Sequence, residues 1–180
     1  MSRLAFLGSS HVGVDTKGNL GGGISSEHIT DAPILNKLFD GITGQQSYVG
    51  NYTDYRCFFI QNVSGKVMQD IKVYILTKQP DVTEVTLEIG VDPSGISVPA
   101  LTIADEVTAP VGVTFLAGVG GVLETDGSTT LIDGKYLTIA SLADGEYFPV
   151  WLKRHTDINR SSAQEVDGVT IQVMTSTLVG

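Results

Sequence analysis

Three histidines and a single cysteine are the residues most able to do chemistry in this chain. His11 and His28 stand near Ser9, Ser10 and Glu27, types from which a hydroxyl nucleophile and its base could be made. Neither serine lies in the Gly-x-Ser-x-Gly turn that lifts a nucleophile out of its strand. These histidines therefore read as exposed loop residues, like His155, and no catalytic residue is assigned. Zinc needs a tetrahedral ligand set at short recurring spacings, which Cys57 and the scattered histidines do not offer. Calcium would take carboxylate and carbonyl oxygens from an Asp-rich loop. Asp92-Pro93-Ser94-Gly95 and Glu124-Thr125-Asp126-Gly127-Ser128 lack the repeating Asp ladder and read first as turns. Gly118 to Gly121 have no following lysine and no helix pattern, so they read as a flexible hairpin tip rather than a phosphate loop. Asp105-Glu106 could serve as acid and base only if the fold set them roughly 5–10 Å apart across a cleft. Tyr48, Tyr52 and Tyr55 could form a platform for stacking, although packing at a junction suits half-buried tyrosines better. Neither a metal nor a cofactor is expected.

The elements that would position these residues divide the 180-residue chain in two. Residues 1–54 are rich in glycine, from Gly8 to Gly23, and offer little apolar periodicity; they read as an N-terminal arm ordered by a partner. The arm holds one predicted helix over 32–39, with Asp31 to cap it, Pro33 in its first turn and Gly41 beyond its end. Its apolar residues Ile34, Leu35, Leu38 and Phe39 would share one face, and so short a helix must bury that face to persist. Residues 55–180 alternate with the period of strands. Strands are predicted over 56–63, 70–77, 83–91, 98–103, 111–116, 135–140, 146–154 and 169–175, each bounded by Gly, Pro or Asp. Pro149 argues for an edge or a bulge in its strand. The expected fold is all-β: an antiparallel immunoglobulin-like β-sandwich with an extended glycine-rich arm carrying one short helix. A truncation lacking residues 1–50 is expected to fold.

Composition narrows the partners. Lys and Arg number 11 against 20 Asp and Glu, a formal charge of −9, so phosphate backbones and anionic membranes are repelled. Neither nucleic acid nor membrane is an expected partner. Charged residues make up 17% and hydrophobic ones 42%, which favours a folded core over disorder. With one cysteine there is no intrachain disulfide, in keeping with assembly in a reducing cytoplasm. The apolar run in Leu4-Ala5-Phe6-Leu7 is shorter than a signal peptide requires, so the N-terminus reads as mature protein.

Four segments, in order, resemble a group of small virion proteins of tailed bacteriophages. They are Ile34-Leu35-Asn36-Lys37-Leu38-Phe39-Asp40, Asp54-Tyr55-Arg56-Cys57-Phe58-Phe59-Ile60-Gln61-Asn62, Leu87-Glu88-Ile89-Gly90-Val91-Asp92-Pro93-Ser94-Gly95 and Asp144-Gly145-Glu146-Tyr147-Phe148-Pro149-Val150-Trp151-Leu152-Lys153-Arg154. The resemblance spans most of the chain and its motifs are structural, so it brings no active-site residue with it. It implies a non-enzymatic capsid decoration, or cement, protein on the virion surface. The implied partners are the major capsid protein and copies of the chain itself, as dimers or trimers. Ile34, Leu35, Leu38, Phe39, Tyr48 and Tyr52 are the expected interface residues. A tail, neck or baseplate component and a carbohydrate-binding module are the alternatives.

Overall fold

The computed structural model describes residues 4–12, 18–29, 38–39, 51–79, 85–157, 168–175 and 177–179. They form fourteen strands: β1 (Leu4–Ser9), β2 (Gly21–Gly22), β3 (Ile24–His28), β4 (Tyr52–Asn62), β5 (Val67–Gln79), β6 (Val85–Val91), β7 (Ala100–Thr102), β8 (Leu116–Ala117), β9 (Gly121–Leu123), β10 (Thr129–Leu131), β11 (Leu137–Leu142), β12 (Tyr147–Thr156), β13 (Gly168–Met174) and β14 (Thr177–Val179). No helix occurs among the described residues. The fold is all-β with antiparallel pairing throughout. Of the helix predicted over 32–39, only Leu38 and Phe39 are described, and they form a bend; the rest lies outside the described residues.

One sheet has six strands in the order β3-β1-β4-β12-β6-β8, and a second has the order β11-β5-β13, with β14 also on β5. The two face each other across a core that alternation makes possible. Phe58 and Ile60 of β4, Val150 and Leu152 of β12, and Leu87 and Ile89 of β6 point inward against Ile71, Val73 and Ile75 of β5 and Leu137 and Leu142 of β11. A parity change in β5 lets both Met68 and Ile71 point inward, and Asp70 supplies it with φ of 50°. The opposite face of the six-stranded sheet is covered too. Cys57, Phe59 and Trp151 pack there under Leu20, Ala100 and Ile103, where β2 pairs with β7. Buried on both faces, β4 and β12 read as nearly continuous apolar runs.

Residues 4–28, read from the sequence as part of an arm, contribute three strands, and β1 is interior, between β3 and β4. Where β1 stops, loops continue the ladder: Cys57 N–H donates to the Asn19 carbonyl at 2.6 Å and Tyr55 N–H to the Glu106 carbonyl at 2.8 Å. The glycines serve packing here. At Gly21, φ is +91° and an added Cβ would lie 1.7 Å from the Leu101 carbonyl oxygen.

Pro149 is interior as well, opposite Phe59 of β4. The amide and carbonyl of a strand residue point toward the same neighbour. The Pro149 carbonyl accepts from Asp92 N–H at 3.1 Å, just beyond the end of β6, so its missing donor falls where the β6 ladder has already stopped. Asp92 closes that corner: its carboxylate accepts from Trp151 Nε1 at 2.7 Å, Leu101 N–H at 3.0 Å and Ser94 N–H at 2.8 Å.

Candidate functional site

The inward face of the six-stranded sheet turns from apolar to charged at one end. Following the alternation of Phe58 and Ile60 back along β4 brings Arg56 and Asp54 onto the core face, and along β12 Leu152 leads to Arg154. The register sets Arg154 opposite Asp54 and Leu152 opposite Arg56, with Leu87 of β6 on the other side of Arg154. Charge is therefore built into the rows that carry the core.

The arginines are held by distinct carboxylates. Arg154 Nε donates to Asp54 Oδ1 at 2.9 Å and its Nη2 to Oδ2 at 2.6 Å, a two-bond fork between side chains only 3% and 1% exposed. Arg56 Nη2 donates to Glu106 Oε2 at 2.5 Å, its Nη1 to the Tyr55 carbonyl at 2.9 Å and its Nε to the Leu38 carbonyl at 2.8 Å. The Tyr52 hydroxyl donates to the other Glu106 oxygen. Phe39 lies over both cations, its ring centroid 4.7 Å from the Arg154 guanidinium carbon and 5.7 Å from that of Arg56.

Two anions thus meet two cations in a nearly dry space. Such an arrangement fixes geometry, because removing one partner strands a buried charge. Burial is the largest influence on the Asp54 carboxyl and pushes it up, while the bonds and charge of Arg154 pull it down. Burial also raises the Tyr52 hydroxyl well above its ordinary range, helped by its bond to Glu106 and by the nearby carboxylates. Chemically, the cluster clamps Leu38–Phe39 and the 103–108 loop to the sheet, and its carboxylates are committed to arginine.

The residues singled out from the sequence fall as follows. Asp105 and Glu106 are turned to different tasks: Glu106 goes inward to Arg56, while Asp105 caps Thr108 through its amide at 2.8 Å and hydroxyl at 2.6 Å. The Ser9 hydroxyl accepts from Gly21 N–H at 3.0 Å and holds the β2 turn. His155 meets Thr53 across the strands, Nδ1 to Oγ1 at 2.7 Å. Cys57 is buried, which pushes its thiol up. Asp126 accepts from the Ser128 amide and hydroxyl, which hold its carboxyl below the usual range. Among the described residues, no group of three His, Cys, Asp or Glu could hold a metal. Gly120 and Gly121 are places of close approach: added Cβ atoms would stand 2.1 Å from the Lys135 carbonyl oxygen and 2.5 Å from the Tyr74 ring.

Of the expected interface residues, Ile34, Leu35 and Tyr48 lie outside the described residues. Leu38 and Phe39 pack against the chain's own core, and Tyr52 is bound to Glu106. Sequence reasoning missed Asp54, Arg56 and Arg154 as a unit. The signal was present, since all three continue the inward parity of apolar neighbours in β4 and β12.

Apolar side chains also remain exposed on the covering loops and an outer hairpin. Val98, Val107 and Val111 belong to the segment over the six-stranded sheet, with Val111 84% exposed; Leu123, on β9, is 61% exposed. No protein-family model, curated protein or solved structure matches the chain.

Proposed function

We propose that this chain is a non-enzymatic structural protein of a tailed-phage virion. In this reading it is a capsid decoration protein that assembles in the host cytoplasm, binds the major capsid protein and its own copies, and stabilises the shell. The observation that carries the reading is the exposure of large apolar side chains on the loop layer, led by Val111, beside buried charges committed to internal pairs. Exposed apolar loops on a rigid scaffold are the material of a contact surface. The segment resemblance described above supplies the identity of the partner.

An immunoglobulin-like sandwich is part of the proposal. The order β1-β4-β12-β6 facing β5-β13 parallels strands A, B, E and D facing C and F, with β11 an addition beside β5. The test is to label the protein and image virions produced by the encoding phage. Label spread over the capsid shell supports the reading, and label confined to tails, or absent from particles, overturns it.

A further inference from the structure

We infer that Asp133–Gly134, in the exposed turn between β10 and β11, is a site of spontaneous covalent modification, closing to a succinimide and reopening as isoaspartate ahead of the comparable turns. Asp followed by Gly occurs five times in the chain, at Asp40, Asp126, Asp133, Asp144 and Asp167. Where both residues are described, at Asp126, Asp133 and Asp144, the glycines are alike. Gly127, Gly134 and Gly145 have φ of +83°, +73° and +82°, each with nothing within 4 Å of an added Cβ. The carboxylates are what differ. Asp126 Oδ1 accepts from the Ser128 amide at 2.9 Å and from its hydroxyl at 2.6 Å, and Asp144 Oδ1 accepts from Gly65 N–H at 2.8 Å. Both are held by groups that take no part in ring closure. Asp133 Oδ1 accepts instead from Gly134 N–H at 3.1 Å, so this carboxyl group rests against the very nitrogen that must attack it. Such proximity favours an intramolecular step. Ser128 also holds the Asp126 carboxyl below its usual range, which lowers the share of protonated acid from which water can leave.

Water is the only co-reactant. Gly134 N bonds to Asp133 Cγ, the Cγ–O bond breaks, and that oxygen leaves as water with the amide proton and the acid proton. Water then adds to the Asp133 main-chain carbonyl carbon, whose bond to Gly134 N breaks, and the nitrogen regains a proton. The backbone now runs through Asp133 Cβ and Cγ, the former carbonyl carbon is a free carboxylate, and the mass is unchanged. The lengthened backbone falls within the turn that Lys135 N–H closes on the Ile132 carbonyl at 3.1 Å.

The inference does not depend on the proposed capsid role, and the intact protein in solution tests it. The full chain is kept warm in mildly acidic buffer below its unfolding transition, with fluorescence of Trp151, the only tryptophan, reporting that it stays folded. A parallel sample is kept in denaturing urea. Electron-transfer mass spectrometry of the peptides, which tells isoaspartyl from aspartyl linkages, gives the rate at each site. In the folded chain Asp133 should convert several-fold faster than Asp126 or Asp144. In urea the three rates should draw together, because the turn contacts that rank them are gone. Folded protein in which Asp126 or Asp144 converts as fast as Asp133, or in which Asp133 does not convert, overturns the inference. So does the same lead for Asp133 in urea, which would assign it to local sequence rather than to the geometry of the turn.

Discussion

Arg154 and Asp54 stand directly opposite each other on β12 and β4 and meet in a two-bond fork within the core face. Removing either partner takes both bonds of the fork from a buried charge. Asp54→Ala or Arg154→Ala should each lower the unfolding free energy by about 3–5 kcal/mol. The double replacement Asp54→Leu with Arg154→Met, which removes both charges, should recover much of that loss. Urea denaturation followed by Trp151 fluorescence measures all three, and a double variant no better than the singles would contradict the fork's role.

Tyr52 makes stability depend on alkaline pH. Its hydroxyl is raised by burial and by Glu106, so the folded chain holds this proton more tightly than the unfolded chain, whose tyrosines titrate near about 10. The stabilisation is complete below about pH 10 and is lost as pH climbs above it. Unfolding free energies measured between about pH 8 and 11.5 should fall at the alkaline end, and Tyr52→Phe should flatten that fall.

Two glycines of the N-terminal stretch separate packing from flexibility. Gly21→Ala places a Cβ against the Leu101 carbonyl at a φ of +91° and should cost about 2 kcal/mol or more. Gly18 has nothing within 4 Å of such an atom, so Gly18→Ala should change stability by less than about 0.5 kcal/mol. Thermal or urea melts of the pair provide the comparison.

Deleting residues 1–50 removes β1, an interior strand, together with buried Leu20 and the Asn19 carbonyl that accepts from Cys57. The sequence alone suggests that such a truncation folds; the sheet order argues the reverse. The truncated chain should show no cooperative Trp151 transition, and a sharp transition near the full-length midpoint would contradict this.

The strands that alternate between core and solvent were legible. Val85, Leu87 and Ile89 appear where β6 places them, and the predicted strands at 135–140 and 169–175 match β11 and β13 within a few residues. β1 was hidden because Leu4-Ala5-Phe6-Leu7 is apolar on both faces and glycines surround it, so its period vanished and its neighbours looked like a linker. The segment 111–116, read as a strand, forms only the short β8 from Leu116, since most of it covers the sheet as a loop. The ion-pair cluster escaped because its members are about 50 to 100 positions apart in sequence and only the register brings them together. A charge that keeps the inward parity of a strand was the one sign available.

The most direct measurement is rebinding. On the proposed capsid role, phage capsids stripped of their decoration are mixed with the purified full-length chain, then assayed for bound protein and for the temperature at which the shell melts. The chain should bind in a saturable manner and raise that temperature, and replacing exposed Val111 with Asp should weaken the binding. A chain that folds yet neither binds stripped shells nor changes their melting would contradict the capsid assignment.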